Sequence, residues 1–313
     1  MYNIGIDLGG TNIAVGIVDD KGKIIAKDST PTIAERGYKE IVKDMARLSK
    51  KIMADNNIAE SEIKGVGIGC PGTVDSKTGT VLFSNNIRME KTPLADEFRQ
   101  YFDVNVKILN DADAAAYGEY QINGDNVDSF VFITLGTGVG GGIIINKKVY
   151  NGFNSAGGEL GHITLVHDGV PCNCGNIGCW EAYASVTALI RQTKEAMEKN
   201  PQSLMHELAK KEGKVSGKTA FEAAKAGDEA GLEVVKKYRE YVASGLVSII
   251  NIFQPERLVI GGGISKEGDY LINPIIEYCY AHEYNKYGVK TQISIATLFN
   301  DAGIIGAALF SKE

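Results

Sequence analysis

The apolar positions along the chain fall into alternating helix-like and strand-like segments. Apolar residues recur at helical spacing over residues 41–52, and short apolar runs of strand length follow at 63–68 and 258–260. A longer apolar pattern predicts a helix over residues 232–253, whereas the Lys-, Glu- and Ala-rich segment 195–230 predicts exposed helices. Strands mixed with helices of this length predict an α/β fold.

The same arrangement of strand, glycine turn and strand occurs twice. Residues 6–11 and 133–138 each place a glycine turn after an apolar strand, and each copy continues into a second strand and a polar hairpin turn. The tripeptide Asn-Asp-Ala at 110–112 and 300–302 closes an apolar stretch in each half and opens an Ala- and Gly-rich helix. The repeat predicts two related α/β domains that face a cleft. Chance alignment of short glycine-rich strands is the alternative.

Length and composition agree with two globular domains. A chain of 313 residues is long enough for two domains, and 44% hydrophobic with 23% charged residues is typical of a globular protein. The net charge of −6 disfavours a nucleic-acid partner, because such binding needs clustered Lys and Arg. We predict a small N-terminal α/β domain over residues 1–115 plus 301–313, and a large α/β domain over residues 116–300.

No leader or membrane segment is visible in the sequence. The most apolar stretch, residues 130–145, is interrupted by glycines and is shorter than the roughly 20 residues that span a bilayer. Five cysteines, an odd number, argue against a disulfide framework. We therefore expect a cytoplasmic protein without a membrane partner.

Glycine makes up about 12% of the chain, 37 of 313 residues, against about 7% in an average protein. Gly9–Asn12 and Gly136–Gly138 each lie at the turn between two predicted strands, where glycines allow backbone N–H groups to approach an anion. Either loop alone is explained equally well by an ordinary hairpin. Both together, with the run Gly261–Gly263, predict a bound nucleotide. The pattern Gly-x-Gly-x-x-Gly at 136–141 also fits a dinucleotide fingerprint, but a strand follows it instead of the required helix.

A cluster of four soft ligands lies in the middle of the chain. His162, Cys172, Cys174 and Cys179 have the spacing H-x9-C-x-C-x4-C, with glycines inside the loop. Three thiolates and one imidazole form a closed tetrahedral set for a structural Zn²⁺ ion. A redox or disulfide role is the alternative, which a reducing compartment disfavours.

Motifs over nearly the whole chain resemble the ROK family of sugar kinases, within the actin/hexokinase-like superfamily. The resemblance implies an α/β, two-domain, actin/hexokinase-like (ribonuclease H-like) fold, with a cleft between duplicated domains and a zinc loop. The motifs are Asp7-Leu-Gly-Gly-Thr-Asn12, Asn110-Asp-Ala112, Leu135-Gly-Thr-Gly-Val-Gly140, Glu159-Leu-Gly-His162 and Cys172-Asn-Cys-Gly-x-x-Gly-Cys-x-Glu181.

The resemblance implies ATP-dependent phosphorylation of glucose at O6. Asp111 is then the general base for the 6-hydroxyl, Asp7 faces Mg²⁺, and His162 serves both the zinc ion and the sugar. The sugar hydroxyls are held by Asn86, Asn110, Glu159, His162 and Glu181. The phosphates lie at Gly9, Gly10, Thr11, Asn12, Gly136, Thr137 and Gly138, and adenosine lies at Gly261, Gly262 and Gly263.

Several alternatives stay open at this point. Fructose, mannose, N-acetylglucosamine and N-acetylmannosamine are other candidate sugars, and ADP or polyphosphate are other candidate donors. Two departures from the family pattern, Asp113 and Met89, bear on the sugar. ROK chains also occur as sugar-sensing regulators, but we find no helix-turn-helix before the first glycine loop. A sugar-binding protein without catalysis is a further alternative. Asp301, the second copy of Asp111, is predicted to be a helix N-cap. The resemblance also implies a homodimer or a dimer of dimers.

Overall fold

The strands lie where apolar residues alternate or cluster along the chain. The computed structural model describes residues 1–313. The predicted strands at 63–68 and 258–260 are present within β4 and β12. The strands are β1 Tyr2–Leu8, β2 Asn12–Asp19, β3 Ile24–Pro31, β4 Ile63–Cys70, β5 Thr73–Asp75, β6 Thr80–Ser84, β7 Met89–Thr92, β8 Asn105–Asn110, β9 Ser129–Leu135, β10 Val139–Ile145, β11 Lys148–Val149, β12 Arg257–Gly261 and β13 Gln292–Ile295.

The predicted helices at 41–52 and 232–253 are present as parts of α1 and α8. Asp228 begins α8 as its N-cap, because its side chain accepts a hydrogen bond from Gly231 N. None of the helices combines the length and the apolar character that crossing a membrane requires. The helices are α1 Tyr38–Asp55, α2 Leu94–Arg99, α3 Asp111–Asn123, α4 Glu181–Ala184, α5 Val186–Lys199, α6 Met205–Glu212, α7 Thr219–Lys225, α8 Glu229–Phe253, α9 Asp269–His282 and α10 Ala302–Phe310.

The segment 195–230, predicted to form exposed helices, is partly buried. Most of α7 is inaccessible to solvent, and its Phe221 ring packs edge-on against Tyr238 of α8. A Cβ atom on Gly231 would lie only 2.9 Å from the Ala223 Cβ, so small residues bring the two helices together. The prediction of exposed helices rested on the Lys and Glu content of the segment. That content does not show that the alanines lie together on one packed face.

Two five-stranded sheets have the same strand order. The first is β3-β2-β1-β4-β8, in which β1 pairs antiparallel with β2 and parallel with β4. The second is β11-β10-β9-β12-β13, so each strand has its counterpart in the first sheet. This repetition confirms the duplicated plan that the glycine turns indicated. A small sheet, β5-β6-β7, completes the architecture.

The chain divides into two compact units. We predicted a boundary after residue 115, which would cut α3; the structure keeps α3 whole within the first unit, where it packs along α10. The strands β9 and β10 are each divided between the units. The first unit comprises Met1–Phe132, Gly142–Gly158 and Thr297–Glu313, and the second comprises Ile133–Gly141 and Glu159–Ala296.

Part of the glycine excess serves helix packing in the first unit. A Cβ atom on Gly5 of β1 would lie 1.9 Å from Ile304 O, and one on Gly67 of β4 would lie 1.7 Å from Ala307 O. Both contacts are with the backbone of α10, which could not approach the sheet if either residue had a side chain. The sequence around Gly5 and Gly67 does not indicate this packing, because α10 lies more than 200 residues further along the chain. The glycine excess was therefore assigned to ligand loops alone.

Candidate active site and metal centre

Asp111 lies where β8 ends and α3 begins. Asn110 is the N-cap of α3: its Oδ1 accepts hydrogen bonds from Ala112 N at 2.8 Å and from Asp113 N at 3.4 Å. Its Nδ2 donates to Gly72 O at 2.9 Å, so the Asn110 side chain is fixed on both sides and one amide hydrogen remains. The Asp111 carboxylate also accepts from Ala112 N, at 2.9 Å. This geometry presents Asp111 at the carboxyl end of its strand.

Asp7 lies at the same edge of the sheet as Asp111. The strands β1, β4 and β8 are parallel neighbours, and Asp7 pairs in register with Gly69, one residue before the Cys70–Asn110 pair. Burial raises the pKa of Asp7 to about 6, and the negative charge of Asp111 adds to this shift. Two buried carboxylates that disfavour each other's charge form a site suited to a cation or to proton transfer.

The pKa of Asp111 is also raised, chiefly by burial. The backbone hydrogen bonds from Ala112 N and from its own amide oppose this effect and favour the ionised form. Burial and the nearby Asp111 charge raise the pKa of Cys70 as well, so Cys70 stays a neutral thiol beside the carboxylate. Asp111 is therefore a desolvated carboxylate with a raised pKa, which makes it a stronger proton acceptor than an exposed aspartate.

The first glycine loop is folded by its own backbone and by a threonine that sequence analysis missed. Gly9 N donates to Asn12 O at 2.9 Å. The Thr32 hydroxyl donates to Gly9 O at 2.7 Å, and Thr32 N donates to Thr11 O at 3.1 Å. Nothing in the sequence links Thr32 to a loop 20 residues earlier. The tip of the loop, Gly10 to Asn12, is exposed, and a Cβ on Gly10 would meet the Asn86 Cβ at 3.4 Å.

The second glycine loop is held by α4 and α5, the two helices that follow the metal cluster. Gly136 N donates to Gly138 O at 3.0 Å, and the Thr187 hydroxyl donates to Thr137 O at 2.7 Å. Glu181 Oε2 accepts from Val139 N at 2.9 Å. A Cβ on Gly138 would lie only 2.3 Å from this carboxylate oxygen, so any side chain there would have to displace the Glu181 carboxylate.

The third glycine run follows β12 directly. Gly262 has a φ of +89°, and its Cβ would lie 2.2 Å from Leu135 O. Gly263 is exposed, and no atom lies within 4 Å of its ideal Cβ position. Gly261 is buried, so Gly263 is the part of the run that is open to a ligand.

The four predicted metal ligands come together in the structure. The donor atoms of the Cys/His cluster, formed by His162, Cys172, Cys174 and Cys179, all lie within 4.8 Å of one another. Cys172 Sγ lies 3.7 Å from His162 Nδ1, and Cys174 Sγ lies 3.6 Å from Cys179 Sγ. Three thiols and one imidazole converging at this spacing fit a tetrahedral zinc ion without rearrangement of the backbone.

Two acidic residues flank this cluster. Glu159 is exposed and precedes a single turn of 3-10 helix that ends at His162, whose N–H donates to Glu159 O at 3.0 Å. Glu181 begins α4, and its Oε1 lies 3.7 Å from Cys172 Sγ. The imidazole faces the cluster through Nδ1, which leaves Nε2 for a second partner.

The second Asn-Asp-Ala copy does not repeat the first. Asp301 occupies the N-cap position of α10, as predicted, but its side chain makes no capping hydrogen bond. Its carboxylate instead forms an ion pair with Lys27 of β3, with 2.6 Å between the carboxylate oxygen and Nζ. Gly303 of this copy lies close to Asp7, because a Cβ on it would lie 3.3 Å from the Asp7 carboxyl carbon.

Comparisons with known proteins agree with these motifs. A model of the ROK family matches residues 3–313. The chain is 36% identical to a glucokinase of Halalkalibacterium halodurans, over 100% of this chain and 95% of the relative. It is also 36% identical to a glucokinase of Thermotoga maritima, over 99% of this chain and 97% of the relative. A solved ROK-family glucokinase of Streptomyces griseus, in complex with glucose and AMPPNP, is 35% identical with a TM-score of 0.84, and the match covers 100% of this chain and 99% of that one. The chain therefore belongs to the ROK family.

Proposed function

We propose that this protein transfers the γ-phosphoryl group of ATP to O6 of glucose. The observation that carries the proposal is the full-length similarity to glucokinases, one of them solved with glucose and an ATP analogue. The buried Asp111 and the two glycine loops supply the chemistry that this reaction needs. The first unit presents Asp111, Asp7 and Gly9–Asn12, and the second presents Gly136–Gly138 and the Cys/His cluster.

In this reaction Asp111 acts on the attacking hydroxyl. The carboxylate accepts the proton of the glucose 6-hydroxyl while O6 forms a bond to the γ-phosphorus and the bond from that phosphorus to the bridging oxygen of ADP breaks. The products are glucose 6-phosphate and ADP, and the proton on Asp111 leaves to solvent. Its raised pKa makes the carboxylate a better proton acceptor than an ordinary aspartate.

The sugar hydroxyls are held by polar side chains from several elements. We assign this role to Asn86, Asn110, Glu159, His162 and Glu181. Three of them support it by their geometry: Asn110 keeps one amide hydrogen, His162 keeps Nε2, and Glu159 is exposed. Glu181 uses one oxygen on Val139 N, and its second oxygen keeps lone pairs for a donor.

Backbone groups bind the nucleotide. Gly9, Gly10, Thr11 and Asn12, with Gly136, Thr137 and Gly138, form the two loops assigned to the phosphates, and Gly261, Gly262 and Gly263 form the surface assigned to adenosine. Backbone groups at these positions can reach a nucleotide, because the tips of both loops are exposed and Gly263 has open space around it.

Two metal ions fit the residues present. Asp7 offers a buried carboxylate oxygen of the kind that Mg²⁺ prefers, and a cation there would relieve its repulsion from Asp111. Bound Mg²⁺ would neutralise phosphate charge. The Cys/His cluster fits Zn²⁺ with all four positions filled by protein, so this ion has a structural role. From the family resemblance we also propose a cytoplasmic homodimer or dimer of dimers.

A coupled kinase assay tests the function. We expect turnover with glucose and ATP, measured beside fructose, mannose, N-acetylglucosamine and N-acetylmannosamine, and beside ADP and polyphosphate as donors. Turnover with none of these sugars would exclude a sugar kinase and leave the binding protein and the regulator. Preference for another sugar or another phosphoryl donor would change the assigned substrate and would leave the assignment as a sugar kinase unchanged.

Replacing the proposed base tests the mechanism. Asp111→Asn is expected to lower kcat by about 10²–10⁴-fold, because the amide cannot accept the proton, while calorimetry still detects glucose binding. Asp301→Asn is the matched control, since it changes the same residue in the second tripeptide, where the carboxylate only pairs with Lys27. Substantial turnover by Asp111→Asn would show that another group is the base.

A further inference from the structure

A cavity of about 250 Å³ lies in the second unit, and none of the residues assigned above lines it. Its walls are formed by Val170, the end of α4, the face of α5 from Arg191 to Lys199, and the first half of α8. The sequence analysis gave no indication of it, because these segments are separated by up to 70 residues.

The floor of the cavity is aromatic and is held in place. The rings of Tyr183 and Tyr241 have centroids 4.9 Å apart. The Tyr183 hydroxyl accepts a hydrogen bond from Val170 N at 2.6 Å, and Arg191 Nη2 donates to Ala182 O at 2.7 Å. These bonds fix the floor before any ligand arrives, which lowers the entropic cost of binding.

One buried polar atom of the wall has no partner. Gln192 Nε2 donates to Tyr183 O at 2.9 Å, which fixes the orientation of the amide. Its Oε1 is buried and accepts no hydrogen bond from the protein. This acceptor is enclosed by protein and out of reach of a ligand in the cavity, so the fixed Gln192 amide shapes the wall and does not bind the ligand.

The mouth of the cavity carries two lysines without ion-pair partners. Lys199 ends α5 and Lys237 lies on α8, and both are exposed residues that line the cavity. Of the acids nearby, Glu195 lies 3.6 Å from Arg191, whereas Glu233 has no cationic partner within 4 Å. The unpaired groups therefore carry one net positive charge, which attracts an anion.

We propose that this cavity binds a sugar monophosphate. The phosphate group, with a charge between −1.5 and −2 at pH 7, reaches both Lys199 and Lys237, because its three terminal oxygens can accept from two ammonium groups at once. The apolar C–H face of the ring packs on Tyr241, which lines the cavity. An aromatic floor with a few placed polar groups is typical of a small-molecule site.

Calorimetric titration of the full chain with glucose 6-phosphate tests this proposal. Glucose 6-phosphate is chosen as the probe because it is the product of the proposed reaction, so this choice rests on the proposed function. The existence of the cavity does not depend on that function. The titration is done with saturating glucose and AMPPNP, so that the proposed active site is occupied. The double variant Lys199→Met/Lys237→Met is expected to weaken binding by about tenfold or more, since both charged hydrogen bonds are lost.

The matched control removes the same charges from the same helices outside the cavity. Lys194→Met/Lys236→Met is expected to keep the affinity within about twofold, because both lysines are exposed and neither lines the cavity. Three results would overturn the proposal: no binding of the probe, equal loss in both double variants, or inorganic phosphate binding as tightly as glucose 6-phosphate. A failed proposed function would instead appear as absent turnover, whatever the cavity variants do.

Discussion

Asp7→Asn is expected to stabilise the protein while it removes a proposed Mg²⁺ ligand. Burial and the charge of Asp111 raise the pKa of Asp7 from 3.8 to about 6, so the ionised carboxylate is unfavourable in the fold. A shift of about two units corresponds to about 3 kcal/mol between the protonation states. The asparagine side chain has nearly the same shape and carries no charge, so it avoids this cost.

The sign of the effect follows from proton binding. Between about pH 4 and pH 6 the folded state holds a proton on Asp7 that the unfolded state has released, so the wild-type free energy of unfolding falls as the pH rises through this window. Above pH 6 the cost is constant. The stability gained by Asp7→Asn is therefore expected to grow from about 1 kcal/mol at pH 4.5 to about 3 kcal/mol at pH 7.5.

Urea unfolding followed by circular dichroism at both pH values measures this difference. Asp103→Asn is the matched control, because Asp103 is an exposed carboxylate of the same unit. A gain by Asp7→Asn that is the same at both pH values, or a loss at pH 7.5, would refute the reasoning. In the Asp111→Asn variant, the pKa of Asp7 measured by NMR should fall but stay above 3.8, since burial is the larger cause.

Three further outcomes are expected. Gly138→Ala places a Cβ 2.3 Å from Glu181 Oε2 and should weaken glucose binding, measured by calorimetry, about tenfold. Gly136→Ala is the control, because no atom lies within 4 Å of its Cβ position. Equal effects of the two variants would contradict the assignment of Glu181 to the sugar hydroxyls. Gly67→Ala should lower the free energy of unfolding by more than about 3 kcal/mol, because its Cβ would lie 1.7 Å from the backbone of α10. Gly65→Ala should cost less, because no atom lies closer than 3.0 Å to its Cβ position. A strong chelator should remove one zinc ion per chain and lower the Tm, and a protein purified without zinc would contradict the metal assignment.

How much could be predicted from the sequence depended on the distance between interacting residues. The Cys/His cluster was predicted correctly as a group that comes together, because its four members lie on one short stretch of the chain. The duplicated strand plan was also predicted correctly, because the two glycine turns repeat a visible pattern. The roles of Gly5 and Asp301 were not predictable, since the first depends on α10 near the other end of the chain and the second depends on Lys27. Local motifs report the chemistry of a site, whereas packing depends on residues distant in sequence.

Glu181 shows how the metal cluster is linked to the proposed nucleotide loop. Its Oε1 lies 3.7 Å from Cys172 Sγ, and its Oε2 accepts from Val139 N at the end of the second glycine loop. One carboxylate therefore contacts both the metal loop and the turn at Gly138, where any side chain would displace it. A structural zinc ion that takes no part in the reaction would still position this carboxylate, because it fixes the loop from which α4 starts. The short sequence from Cys172 to Glu181 thus acts as one rigid support for the second glycine loop.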